Sequence, residues 1–188
     1  MRKLSVRPAI TLRGRQFNGL RGWAGKPLHP PLTDIPIGAY ILAVAFDLIS
    51  FIGGPTQSWS REFFHAATFT LVGGVIVSVF AAFTGYWDWL KSSKPGTQAR
   101  RTVNTHAWIM VSVTLLVIVD IVWRIIGYST RQSTPLEILV LSVVIAGLVS
   151  LGATYGGSLV FDYGFNIETG GDHPVWHPSE KDVFPGEH

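Results

Sequence analysis

Four runs of apolar residues fix most of what this chain can become. They cover 35–54, 63–89, 107–126 and 136–161. A helix rises 1.5 Å per residue, so each run is long enough to cross the roughly 30 Å hydrocarbon core of a bilayer. The two longer runs need tilt or project beyond it. Only 14% of the residues are charged, against about 25% in an ordinary soluble domain, so a soluble globule would lack the charge to cover its surface. The connections at 55–62, 90–106 and 127–135 are short, which makes consecutive helices antiparallel neighbours. The expected fold is all-α. It is an integral membrane, up-down four-helix bundle over 35–161, with a basic N-terminal arm over 1–34 and an acidic, Pro- and Gly-rich tail over 162–188.

Lysine and arginine then set the orientation. Eleven of the fifteen lie either before the first run (Arg2, Lys3, Arg7, Arg13, Arg15, Arg21, Lys26) or between the second and third (Lys91, Lys94, Arg100, Arg101). The positive-inside rule therefore puts both termini and the middle connection in the cytoplasm. The lipid bilayer is the first partner, and the basic arm touches its anionic headgroups. No cysteine is present, which excludes disulfides, cysteine-ligated metals and thiol nucleophiles within the chain. There is no phosphate-binding glycine loop, nucleophile–base motif or dinucleotide fingerprint, so nothing marks a stand-alone enzyme. The arginines come without interleaved stacking aromatics, so no nucleic-acid partner is expected.

Lipid gives apolar helices no hydrophobic reason to associate, so close packing relies on small residues. Gly74, Ser78 and Ala82 recur at i+4 spacing in the second run, and Gly152 and Gly156 form a GxxxG pair in the fourth. Ser142, Ala146, Ser150 and Thr154 follow the same spacing. These stripes are expected to pack spans two and four within the bundle, with homo-oligomerisation as the rival use.

Two polar groups remain once topology residues are set aside. Asp47, Asp120 and Arg124 lie inside spans one and three at similar depth, where a charge calls for a partner or a task. Arg124 follows Asp120 by one helical turn, the spacing of an ion pair. The plain reading is a buried cluster holding the bundle; the functional one is a proton or ion relay. The second group is His29, Asp34, Asp88 and His106, which the topology brings to one membrane face from three chain segments. Two imidazoles and two carboxylates suit a divalent metal, and the two histidines alone suit haem b. The plain reading is a polar cap bonded to loops and helix ends, with Asp34 as an N-cap. His65 stands at the opposite membrane face from His106, so those two do not make a haem-ligating pair at equal depth. Asp172, His173 and His177 in the tail are a further, looser set of metal-binding types.

Several of these residues sit in motifs of one family. The opening Gly25-Lys26-Pro27-Leu28-His29-Pro30-Pro31-Leu32-Thr33-Asp34-Ile35-Pro36 resembles that of bacterial predicted membrane proteins grouped as domain-of-unknown-function family 2231, which commonly has Gly-His-Pro where this chain has Gly-Lys-Pro. Phe46-Asp47-Leu48, Thr84-Gly85-Tyr86-Trp87-Asp88-Trp89, His106 and Gly156-Gly157-Ser158-Leu159-Val160-Phe161 continue the likeness over about 25–165. The tail is similar to that of actinobacterial members. The resemblance implies a four-helix protein of the bacterial cytoplasmic membrane without a settled activity. Many relatives have histidine where Asp34 stands, and both residues ligate metals. Members are fused to, or encoded beside, Rieske-type ferredoxin domains, which implies a redox setting and, for this cysteine-free chain, a separate redox partner.

Overall fold

The computed structural model describes residues 19–22 and 27–164. Arg2, Lys3, Arg7, Arg13, Arg15 and Lys26 lie outside the described residues, as do Asp172, His173 and His177 of the tail. Four helices follow one another: α1 (His29–Gly53), α2 (Ser58–Ser92), α3 (Gln98–Ile126) and α4 (Leu136–Phe161). All four are long and apolar enough to cross a membrane. The described residues form an all-helical bundle, as the apolar runs require.

The helices follow one another around the bundle. Neighbours are α1 with α2, α2 with α3, α3 with α4 and α4 with α1, so α1 faces α3 across one diagonal and α2 faces α4 across the other. The interior is built from Tyr40 and Ala43 of α1, Ala67 and Leu71 of α2, Val113 and Val117 of α3, and Ile145 and Val149 of α4. Large apolar side chains such as Ile52, Trp108, Ile126 and Phe161 face outward. Water would oppose that arrangement and lipid accepts it.

Helix α1 begins ahead of its apolar run because Pro30 and Pro31 occupy its first turn, where a missing N–H costs no helical hydrogen bond. Leu28 is the cap residue and makes no side-chain cap bond. Asp34 therefore sits within the helix, exposed, and is not its N-cap. Gly54 ends α1 with φ 66° and returns its N–H to the carbonyls of Ser50 and Phe51. Between α2 and α3, the Arg100 guanidinium lies 3.6 Å over the Trp89 ring and bonds the Ser93 hydroxyl and carbonyl. The Trp89 indole N–H reaches Asn104 Oδ1 at 2.7 Å. A residue read as a topology signal thus also pins the turn.

The small-residue stripes pack α2 and α4 within the bundle, each against a neighbouring helix. Helices α2 and α4 are diagonal, so Gly74 lies against Ala39 and Tyr40 of α1, while Gly152 lies against Ile109 and Met110 of α3. The Tyr40 hydroxyl hydrogen-bonds Ser78 at 2.7 Å. Ala82, Ser150 and Thr154 are exposed, whereas Ala81 and Val149 are buried. The reason is helical pitch. An i+4 row drifts about 40° per step on a helix of 3.6 residues per turn, so it leaves the interior within two or three steps. Ser150 and Thr154 instead return their hydroxyls to the carbonyls four residues back.

A Cβ on Gly74 would sit 2.8 Å from Tyr40 Cε1 and 2.9 Å from Ala39 Cβ, while one on Gly73 meets nothing within 4 Å. Gly74→Val is therefore expected to cost about 1–3 kcal/mol by overpacking, and Gly73→Val almost nothing. Thermal unfolding in detergent compares the two. Equal midpoints would show that the α1–α2 contact is looser than described.

Candidate functional site

Each of the two polar groups ends up at its own level of the bundle. Near the ends of α1 and α3 that adjoin the α3–α4 connection, Arg124 is fully buried. Its Nη1 and Nη2 donate to the two carboxylate oxygens of Asp47 at 2.9 and 2.5 Å, and its Nε donates to Asp120 Oδ1 at 3.0 Å. Nη2 also donates to Ser142 Oγ at 2.9 Å. Asp47 in turn accepts from Ser142 Oγ at 2.6 Å and Thr134 Oγ1 at 3.0 Å. The network runs on through Thr134 N to Ser50 Oγ and from Ser50 Oγ to the carbonyl of Ser60. Asp47, Asp120 and Arg124 are thus one cluster. The paired depth of the carboxylates and the one-turn spacing of Asp120 and Arg124 pointed to it. The contributions of Thr134 and Ser50 had no sequence signal, and Ser142 had been noted only as a small residue.

The cluster is saturated. Every nitrogen of the guanidinium has a carboxylate or hydroxyl partner, the condition under which buried charges hold a structure together. It joins α1, α3 and α4 through buried side chains. Asp47→Ala strands part of a buried guanidinium and is expected to lower unfolding free energy by about 3–5 kcal/mol. Unfolding in mixed micelles with increasing denaturing detergent measures this. A loss below about 1 kcal/mol, the range of exposed ion pairs, would contradict the cluster's structural role.

The opposite end holds the histidines. His29 opens α1 and His106 lies in the third turn of α3. Their ring centres are 6.4 Å apart and their planes cross at 86°. They meet across the α1–α3 diagonal, each leaning on the other helix of its own hairpin. His29 Nδ1 is 2.9 Å from the carbonyl oxygen of Ala81, and His106 Nδ1 is 2.8 Å from that of Gly152. A carbonyl only accepts, so Nδ1 is the protonated nitrogen in both neutral rings and Nε2 carries the lone pair. Among the described residues neither Nε2 has a hydrogen-bond partner. Glycine beneath each ring makes the room. A Cβ on Gly85 would come within 2.6 Å of His29 Cε1, and one on Gly156 within 3.1 Å of His106 Cε1.

The two carboxylates grouped with the histidines take different places. Asp34 is exposed. Asp88 is buried, and its Oδ1 accepts the N–H of Leu20 at 3.2 Å. Leu20 in turn accepts from Leu28 N, so Asp88 fastens the segment leading into α1 over this end of the bundle. Among the described residues no three histidine or acidic side chains gather in a way that would hold a metal ion. His65 stacks on Tyr128 at 4.2 Å between ring centres, beside the far end of α3 and away from His106.

A family model described as a predicted membrane protein, domain of unknown function 2231, matches residues 25–169. The chain belongs to this family. The match takes in all four helices and both polar groups of this DUF2231 protein. No match was found among curated proteins or among solved structures. The description says membrane protein and assigns no chemistry, so function has to be argued from the side chains.

Proposed function

We propose that this protein is a redox-associated membrane subunit in which His29 and His106 would hold a b-type haem through their Nε2 atoms. The observation that carries this reading is the meeting of the two imidazoles, each fixed through Nδ1 on a main-chain carbonyl and each with Nε2 left over. Metal–nitrogen bonds of about 2 Å on opposite sides of one metal put two imidazole centres roughly 6 Å apart, which agrees with the 6.4 Å observed. The donor count favours haem over a bare ion. A zinc-like ion wants four ligands, with three or more from the protein, and no such group gathers among the described residues. A haem brings four equatorial nitrogens and asks only for axial ligands, and when bound it supplies one-electron transfer.

The chain's own residues do the rest. The carbonyls of Ala81 and Gly152 accept the Nδ1 protons, which fixes ring orientation and strengthens Nε2 as a donor. Asp88 holds the Leu20 segment at the same end. By the lysine and arginine distribution we place this end and both termini at the cytoplasmic face of a bacterial inner membrane. A separate redox protein, such as a Rieske-type ferredoxin, would exchange electrons there. The saturated bonding around Arg124 supports a holding role for the other polar group.

Detergent-purified protein from haem-replete cells, reconstituted with hemin where needed, is expected to show a haem absorbance spectrum. That spectrum disappears in the His29→Ala, His106→Ala double variant. Wild-type protein without a haem band after reconstitution would overturn the assignment.

A further inference from the structure

The two histidines occupy equivalent places in a repeated unit. The interior residues Pro36, Tyr40, Ala43 and Asp47 of α1 recur as Val113, Val117, Asp120 and Arg124 of α3 at the sequence separation of 77 that also relates Asp47 to its partner Arg124. His29 and His106 are related by the same separation. In the other helices, the interior residues Leu71, Gly74, Ser78, Ala81 and Asp88 of α2 recur at one constant spacing as Ser142, Ile145, Val149, Gly152 and Leu159 of α4. That spacing also relates Gly85 to Gly156, the glycines beneath the two rings, just as it relates the carbonyls of Ala81 and Gly152 that hold them. The side chains differ between the copies, but the faces and clamps coincide. Packing follows the same division, since α1 packs most closely on α2 and α3 on α4, with looser seams between the pairs.

We infer that the bundle is a duplicated helical hairpin and that its histidine end is a slot between the two copies for a flat, metal-centred macrocycle. Each hairpin supplies one clamped imidazole, and Gly85 and Gly156 are the positioning residues. This rests on the haem reading above and goes further, because it fixes where the plate lies and how the ligands stand. A group held by one imidazole from each hairpin would sit between the hairpins, where packing is loosest. Each ring is pinned at two points, a carbonyl on Nδ1 and a glycine under the ring, so neither turns freely about the metal–nitrogen axis. The crossed planes, at 86°, then persist when the metal is bound.

The test is electron paramagnetic resonance of ferric haem in the full-length protein in detergent. Crossed imidazole planes give a low-spin ferric centre with one strongly anisotropic low-field feature; near-parallel planes give a three-line rhombic spectrum. The crossed-plane signal is expected in the wild type. Gly85→Ala is expected to move the low-field line toward the rhombic position at retained haem content, and Gly156→Ala to move it less, because its added Cβ meets His106 less closely. Gly73→Ala, facing open space, leaves the line in place. A rhombic or high-spin wild-type spectrum with haem bound would overturn the clamped, two-sided slot while leaving haem binding standing. Unmoved lines in both Gly85→Ala and Gly156→Ala would overturn the positioning role. Wild-type protein that takes up no haem would overturn the reading on which the slot rests.

Discussion

Arg124, bonded to Asp47, Asp120 and Ser142, ties three of the four helices together inside the bundle. A guanidinium of zero exposure in an apolar bundle is tolerable only with its donors satisfied. The partners that satisfy it come from α1, α3 and α4. Helix-to-helix packing in lipid is weakly directional, because apolar faces slide over one another at little cost. A bidentate fork does not slide. It fixes the height of α1 against α3 across the diagonal where no interface of small residues would.

That register reaches the other end of the bundle. Asp47 follows His29 by 18 residues, and Arg124 follows His106 by 18. Eighteen residues are five turns of an α-helix, about 27 Å of rise. The histidine of each helix therefore stands on the same face as its half of the ion pair. Locking Asp47 to Arg124 brings His29 level with His106. A slip of one residue along either helix would turn one imidazole about 100° away from the other. The ion cluster and the histidine pair stand at the two ends of one alignment.

Much of this was legible in the residues, and the failures have physical causes. Four apolar runs of about 20 residues or more declare four helical spans, since a helix satisfies its own backbone in lipid. The Asp120–Arg124 spacing and the matched depth of Asp47 pointed to the cluster. The histidine pair was legible as a meeting of types at one membrane face. Asp34 departs from the expected group because tandem prolines start α1 early and leave it on an outward face, while Asp88 is buried at the histidine end with Oδ1 on a main-chain N–H and Oδ2 without a partner among the described residues. The stripes pack within the bundle at Gly74, Ser78, Gly152 and Gly156 but not at Ala82, because i+4 rows drift off a face. The clamps at Ala81 and Gly152 had no signal, since a carbonyl belongs to every residue. The duplication was hidden because the copies share faces rather than side chains: Tyr40 answers to Val117 and Asp47 to Arg124.

If both imidazoles are metal ligands of equal standing, chemical rescue treats the two alike. In haem-loaded His29→Gly and His106→Gly variants, each truncation leaves a cavity the size of the missing ring. Each is expected to lose the six-coordinate low-spin spectrum, and free imidazole to restore it in both. A variant that keeps the wild-type spectrum without added imidazole would show that its histidine is not a ligand.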